Sequence, residues 1–139
     1  MNAPAAAARL REPVTADPVL LERALRERLR GEVRFDAGSR AAYASDASNY
    51  RQVPIGVVLP RDADDVVAAL AVCERFDVPL LMRGGGTSQN GQCVNVAVVL
   101  DTSKYMNRVR AVDAGARVAT VEPGVVCDAL RDAAEAHGL

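Results

Sequence analysis

One segment, Arg83-Gly84-Gly85-Gly86-Thr87-Ser88-Gln89-Asn90-Gly91-Gln92, concentrates the chemistry of this chain. Three adjacent glycines cost more backbone entropy on ordering than any other triplet. They belong where φ must be positive or where something approaches the main chain closely. Successive N–H groups in such a turn converge into a concave anion site, and the Thr87 and Ser88 hydroxyls and the Asn90 and Gln92 amides add donors. The ligand chemistry that fits is a diphosphate.

Two common phosphate loops fail on spacing. Gly86 and Gly91 have the separation of a nucleoside-triphosphate loop, but Gln92-Cys93 stands where a lysine and a hydroxyl residue are needed for the phosphate and its magnesium. A dinucleotide fingerprint starts at Gly84 and Gly86 but meets Gln89 at its third glycine, and no amphipathic helix follows.

Other reactive side chains carry less. Arg83 could pair with a diphosphate, or, as an arginine closing a strand, could be tied to local carboxylates; the sequence leaves both open. His137 is the single histidine. In the last turn of a helix it is explained by the helix dipole and a C-terminal cap, since no carboxylate or nucleophile is patterned with it. No catalytic residue is assigned. Asp46 and Asp101 read as turn formers, because hard-cation loops space acidic residues more densely, and no metal site is assigned. Tyr43, Tyr50 and Tyr105 read as packing or edge residues and Met82 as core. Cys73, Cys93 and Cys127 include no CxxC pair and are odd in number, which indicates buried free thiols in a reducing cytoplasm.

The elements that must position the loop follow from periodicity. Met1 to Ala16 shows no pattern and reads as a leader outside the fold, leaving residues 17–139 as one domain. Asp17-Pro18 opens a helix whose stripe is Leu21, Leu25 and Leu29, ending at Gly31, with Arg26, Arg28 and Arg30 on a solvated face beside Glu22 and Glu27. Arg34 to Pro54 reads as irregular with short extended pieces. Val57-Val58-Leu59 is a buried strand. Asp62 opens a helix with stripe Val66, Leu70 and Cys73, and Leu80-Leu81-Met82 is a second strand, so that a parallel right-handed crossover is expected. The run Val94 to Asp101 suggests a central strand that ties the loop down. Val109–Val112 and Val118–Val121 alternate around Asp113 to Ala116 as an antiparallel hairpin, broken by Pro123-Gly124. A last helix runs from about Val126 to His137, with Val126, Leu130 and Ala133 or Ala134 inward and Gly138 as cap. The fold class is therefore α+β: a small parallel β-α-β sheet plus an antiparallel hairpin, flanked by helices.

Half of the 139 residues are hydrophobic, enough for one core, and 17 basic against 18 acidic residues leave a formal charge of -1. Without a broad basic face, and with few aromatics and no Trp, nucleic acid is not an expected partner. No segment is long and apolar enough to span a bilayer, and the expected compartment is the cytoplasm.

Several segments, in order, resemble the FAD-linked oxidases and dehydrogenases of the vanillyl-alcohol oxidase type, whose FAD-binding domain is of the p-cresol methylhydroxylase (PCMH) type. The likeness is greatest to the branch acting on D-2-hydroxy acids such as glycolate, D-lactate and D-2-hydroxyglutarate. They are Ser45-Asp46-Ala47-Ser48-Asn49-Tyr50, Val57-Val58-Leu59-Pro60, Arg83-Gly84-Gly85-Gly86-Thr87-Ser88 with Gly91-Gln92, Val99-Leu100-Asp101, Glu122-Pro123-Gly124-Val125, and His137-Gly138-Leu139. The resemblance implies that the chain is the N-terminal subdomain of such a domain, with the Gly84 to Ser88 amides on the pyrophosphate of FAD. It further implies that Pro60 and Pro123-Gly124 line the adenosine side and that Gly91 and Gln92 close the loop; Arg83 is counted with them among the expected cofactor-binding residues. Relatives that attach FAD covalently here carry a histidine at the place of Thr87, so non-covalent FAD is implied.

Family members continue with a second FAD-contacting subdomain and a substrate domain, so the fragment is expected to be inactive alone and to bind FAD weakly or not at all, the partners of the whole enzyme being FAD, a small 2-hydroxy acid and the rest of its own polypeptide. The wording around Gly91-Gln92-Cys93 and Ser103-Lys104-Tyr105 is similar to long members that append an iron-sulfur domain. In the full enzyme the substrate's α-carbon would lose a hydride to the flavin. The competing expectation is a non-catalytic module whose loop holds another phosphate ligand.

Overall fold

The computed structural model describes residues 16–139. The leader expected over Met1 to Ala16 falls, but for Ala16, outside the described residues. The first helix, α1 (Pro18–Arg28), begins as expected: Asp17 caps it, its carboxylate accepting from the Val19 amide at 2.8 Å, and Pro18 follows. Leu21, Ala24, Leu25 and Leu29 are buried, while the arginines of its outer face pair along the helix, Arg26 with Glu22 and Arg23 with Glu27. Arg30 departs from that pattern. It leaves the helix face and meets Asp62 at 2.7 Å.

Arg34 to Pro54 is more ordered than its composition indicates. It begins on the last residue of strand β1 (Glu32–Arg34) and contains helix α2 (Ala37–Ala42), which Asp36 caps through the Ser39 amide at 2.8 Å. The helix is six residues long and buries no side chain, so it leaves no apolar stripe to be read. β2 (Gly56–Leu59) and α3 (Ala63–Arg75) come next. Asp65 in the first turn of α3 is buried, and its two carboxylate oxygens accept from the Arg30 amide at 3.0 Å and the Arg61 amide at 2.9 Å. One carboxylate thereby joins the end of α1 to the start of α3, satisfying donors that burial would leave orphaned. The inward face of α3 is Ala69, Val72 and Cys73; Leu70, expected inside, is 50% exposed, because the stripe turns about one residue away from the expected phase.

β3 (Leu80–Arg83) and β4 (Val98–Asp101) complete a four-stranded sheet of order β1-β2-β4-β3. β2 and β3 both run parallel to β4, with Val57 opposite Val99 and Leu81 opposite Val99, while β1 is antiparallel to β2. The expected strand-helix-strand unit is present, and the strand that lies between its two halves is β4. β2 and β4 are buried along their whole length, the signature of a parallel strand covered on both faces. β3 is an edge strand, which corrects the expectation for Met82: it is 45% exposed. The core joins Leu21, Leu25 and Leu29 of the α1 segment, Ala69, Val72 and Cys73 of α3, and Val58, Val98 and Leu100 of the sheet. Each fully buried leucine there contributes about 2 kcal/mol.

β5 (Val109–Asp113) and β6 (Val118–Val121) form a separate antiparallel hairpin with a register irregularity between Val109 and Ala111. Its turn closes on Arg117 at φ 56°. Helix α4 (Cys127–Glu135) ends the chain, and Gly138 adopts φ 70° in its C-terminal cap. Leu130, Ala133 and Ala134 are half-buried, whereas Val126, expected inward, is the N-cap and is exposed. The three thiols also diverge from a uniformly buried set. Cys73 is buried, Cys93 half-buried and Cys127 exposed, and all are free.

Candidate functional site

The glycine loop leaves the end of β3 and returns through Val94 to β4, so both its ends are fixed by neighbouring parallel strands. The ladder continues past the strand: the Thr102 amide donates to the Arg83 carbonyl at 3.0 Å. Within the loop, the main-chain amides of Gly84, Gly85, Gly86, Thr87, Ser88 and Gln89 donate to no acceptor among the described residues. Added carbon at Gly84 would meet nothing within 4 Å, so the main chain there faces open space. Gly86, by contrast, is buried at φ 69°, and Gly91 takes φ 79°, conformations only glycine adopts without strain.

A cleft of about 430 Å³ lies against this loop, lined by Gly84, Gly85 and Thr87 on one side and by Pro123, Gly124, Val125, Val126 and Cys127 on the other, with Ser103 between them. The opposite wall is held tightly. Gly124 donates its amide to the Met106 carbonyl at 2.8 Å, and any side chain there would drive into the Thr102 carbonyl oxygen at 2.3 Å. Buried Glu122 anchors the same turn: it accepts from the Arg108 amide at 2.8 Å and pairs with Arg110, and the Arg108 amide in particular holds its carboxyl below the usual range. Beyond Gly124 the cleft meets the N-terminus of α4, whose N-cap Val126 offers no side-chain acceptor to the first-turn amides. Two sets of unpartnered N–H groups thus border one concavity.

Ser103 is placed by Asp101. This buried carboxylate accepts from the Ser103 amide at 2.8 Å and from the Tyr43 hydroxyl at 2.6 Å. Burial, and then the hydrogen bond to Asp101, push the Tyr43 hydroxyl up to about 12, so it remains a donor. Asp46 and Asp101 act in turns, Asp46 accepting from the Ser48 amide at 2.9 Å. Among the described residues no group of three His, Cys, Asp or Glu side chains is placed to hold a metal ion.

The other expected site residues lie off the cleft. Pro60 is fully buried after β2, Gly91 packs over the Tyr50 ring, and Gln92 bonds to the Ser88 hydroxyl behind the loop. Among the described residues Arg83 forms no ion pair; its guanidinium donates to main-chain carbonyls, and its charge adds to the Ser48 hydrogen bonds that hold the Asp46 carboxyl below its usual range. His137 is exposed, its amide bonded to the Ala134 carbonyl at 2.9 Å in the C-terminal cap of α4. Ser103, Val125, Val126 and Cys127, which line the cleft, are not assigned to the site by the sequence. The one available signal was a helix start lacking a Ser, Thr, Asp or Asn cap immediately after a Pro-Gly turn.

Residues 54–139 match the family described as "FAD binding domain". The chain belongs to this family. Among curated proteins, this FAD-binding domain is 39% identical over 125 residues to D-2-hydroxyglutarate dehydrogenase of Pseudomonas putida, covering 88% of the chain and 12% of that protein. It is 33% identical to glycolate oxidase subunit GlcD of Bacillus subtilis, covering 78% of the chain and 24% of that protein. The domain therefore spans a quarter or less of the length of these relatives. Its fold is that of p-cresol methylhydroxylase, solved with substrate bound: the TM-score is 0.74 at 21% identity, over 87% of this chain and 25% of the other. No helix among the described residues is long and apolar enough to cross a membrane.

The residues present fit FAD, the family's cofactor. A loop of unpartnered amides with no side chain above Gly84 suits the close main-chain approach of a diphosphate.

Proposed function

We propose that this chain is the diphosphate-holding portion of a larger flavin-dependent enzyme that oxidises a small D-2-hydroxy acid of the glycolate, D-lactate or D-2-hydroxyglutarate kind. The observation that carries this reading is the glycine loop whose amides have no acceptor among the described residues and whose Gly84, Gly85 and Thr87 line a walled cleft. In water such amides are satisfied at no gain to the fold. Against a diphosphate they become charge-assisted bonds, each about 1.5–3 kcal/mol. The names of the two relatives supply the substrate class.

Bound FAD supplies the redox chemistry. The chain's own residues hold and orient it. Gly84, Gly85 and Thr87 receive the phosphates, with Ser88 alongside. Pro123 and Gly124 form the facing wall, and the first turn of α4 adds positive potential. Thr87 puts a hydroxyl, not an imidazole, beside the ligand, so FAD is held without a covalent bond. Arg83, Gly86, Gly91 and Gln92 shape the loop, and Pro60 is buried directly after β2. Substrate oxidation requires residues outside this segment, and the segment alone is inactive. The free thiols agree with a cytoplasmic location.

Cys127 provides a direct test, because its thiol is exposed and lines the cleft. FAD and ADP are expected to slow iodoacetamide alkylation of Cys127 several-fold, while riboflavin, which lacks phosphate, does not. Equal rates with all three at saturating concentration refute a diphosphate site here. In the longer polypeptide, reduction of a dye acceptor by a panel of D-2-hydroxy acids identifies the substrate; no turnover of any of them refutes the class.

A further inference from the structure

We propose that Arg83 is a positioning residue: its guanidinium pins the turn between Ala44 and Gln52 against the glycine loop and so holds the loop's amides in receiving geometry, without itself binding the phosphates. The functional consequence rests on the FAD reading above; the pinning does not.

Arg83 is the last residue of β3, and its side chain folds back behind the loop instead of lining the cleft. Its Nη1 donates to the Ser45 carbonyl at 3.0 Å, the Cys93 carbonyl at 3.2 Å and, more weakly, the Tyr43 carbonyl at 3.5 Å. The guanidinium plane also stacks over the Tyr43 ring at 5.1 Å. Its other end fills the space above Gly86, where an added carbon would lie 2.3 Å from Nη2. One cation therefore gathers carbonyls from two chain segments far apart in sequence and presses on the glycine that takes φ 69°.

Further contacts show the turn and the loop behaving as one unit. The Ala47 amide donates to the Gly86 carbonyl at 3.1 Å, and the Cys93 amide to the Asp46 carboxylate at 3.2 Å. The turn is itself closed by a Ser45–Arg51 bridge, and its Tyr50 ring lies under Gly91, 2.6 Å from where a side chain would start. The planar fork of an arginine can serve several carbonyls at once, which a lysine ammonium on a flexible stem cannot reproduce in the same place. Nη1 faces three carbonyl oxygens and Nη2 packs over Gly86, so the guanidinium is held within the protein and away from the lining of the cleft.

The test uses Arg83→Ala, Arg83→Lys and Asp46→Ala, with amide hydrogen exchange of the ligand-free chain and FAD affinity from flavin fluorescence. The Ala47 and Cys93 amides report the contact between turn and loop, and Val99 and Leu100 of β4 report the sheet. In both Arg83 variants Ala47 and Cys93 are expected to exchange at least about tenfold faster with no ligand present, while Val99 and Leu100 exchange as in the parent. FAD affinity is expected to fall by at least the same factor. In Asp46→Ala, which removes the acceptor of the Cys93 amide, Cys93 is expected to accelerate and so calibrates the readout; Arg83→Lys carries the decision if Arg83→Ala loses protection throughout β4. Parent-like exchange at Ala47 and Cys93 combined with lost FAD affinity overturns the assignment and makes Arg83 a direct phosphate partner. Full recovery of exchange and affinity by Arg83→Lys also overturns it, because charge alone then suffices. FAD affinity is read in the longer polypeptide; failure of that parent to bind FAD refutes the cofactor reading and leaves the exchange result to decide the pinning.

Discussion

Gly124→Ala isolates the wall of the cleft from its floor. The new methyl carbon would lie 2.3 Å from the Thr102 carbonyl oxygen, 2.7 Å from its carbonyl carbon and 2.8 Å from the Met106 carbonyl oxygen, all of them main-chain atoms that no rotamer change can move. The turn must shift, and the Gly124–Met106 hydrogen bond at 2.8 Å is strained or lost with it. Overpacking of this kind costs about 1–3 kcal/mol and the hydrogen bond about 1 kcal/mol. The alanine's smaller unfolded-state entropy offsets about 0.4–1 kcal/mol. The net expectation is a loss of about 2–3 kcal/mol, a fall in Tm on the order of 10 °C for a domain of this size. Gly84→Ala is the matched control. Nothing lies within 4 Å of its added carbon and its φ is not positive, so its stability is expected to equal the parent's or exceed it by up to about 1 kcal/mol. Urea unfolding followed by circular dichroism at constant m-value measures both. An unchanged midpoint for Gly124→Ala, or an equal fall for Gly84→Ala, refutes the close approach of the Pro123-Gly124 turn to Thr102.

Two titrations give further checks. Glu32 accepts from Lys104, Tyr105 and Arg34, which hold its carboxyl down at about 2 against an ordinary value of 4.5. A depressed carboxylate stabilises the fold fully above its unfolded value and loses that contribution as pH falls toward the folded one. Parent stability should therefore decline between about pH 4.5 and 2, and Glu32→Gln should decline less steeply over that window in urea titrations. A parallel decline refutes the pairing. Tyr43, raised to about 12 by burial and by Asp101, has the opposite dependence: its contribution is complete below the ordinary value near 10 and is lost as pH rises through 12. Of the three tyrosines, one should ionise late in an absorbance titration at alkaline pH. Tyr43→Phe should remove that late component and cost about 1–3 kcal/mol by leaving the buried Asp101 short of a donor. Retention of the late component in Tyr43→Phe rules out Tyr43 as its source.

The elements that announce themselves in the sequence are those whose apolar residues recur at a fixed period. Leu21, Leu25 and Leu29, the continuous runs Val57–Leu59 and Val98–Leu100, and the alternating hairpin are all of this kind. α2 escapes because it buries nothing; only Asp36 ahead of Ser39 hinted at a cap. Leu70 and Met82 were misplaced because hydrophobicity cannot show where a helix face turns or which strand lies at an edge. At the site, the glycine triplet was legible since its composition has few other uses. Ser103, Val126 and Cys127 were not, because what brings them to the cleft is the way Asp101 and Glu122 tie distant turns together.

The strand order sets a schedule for the growing chain. β2 and β3 never pair with each other; β2 has β1 along one edge, but its other edge and the inner edge of β3 find a partner only in β4, which leaves the ribosome after both. Until Val98–Asp101 arrives, two apolar strand edges lie open on either side of an empty lane, the condition under which nascent chains associate wrongly. The glycine loop is the tether that delivers β4 into that lane. Its glycines let the tether turn back along the sheet so that β4 enters parallel to β3, and the same loop borders the cleft once the lane is filled.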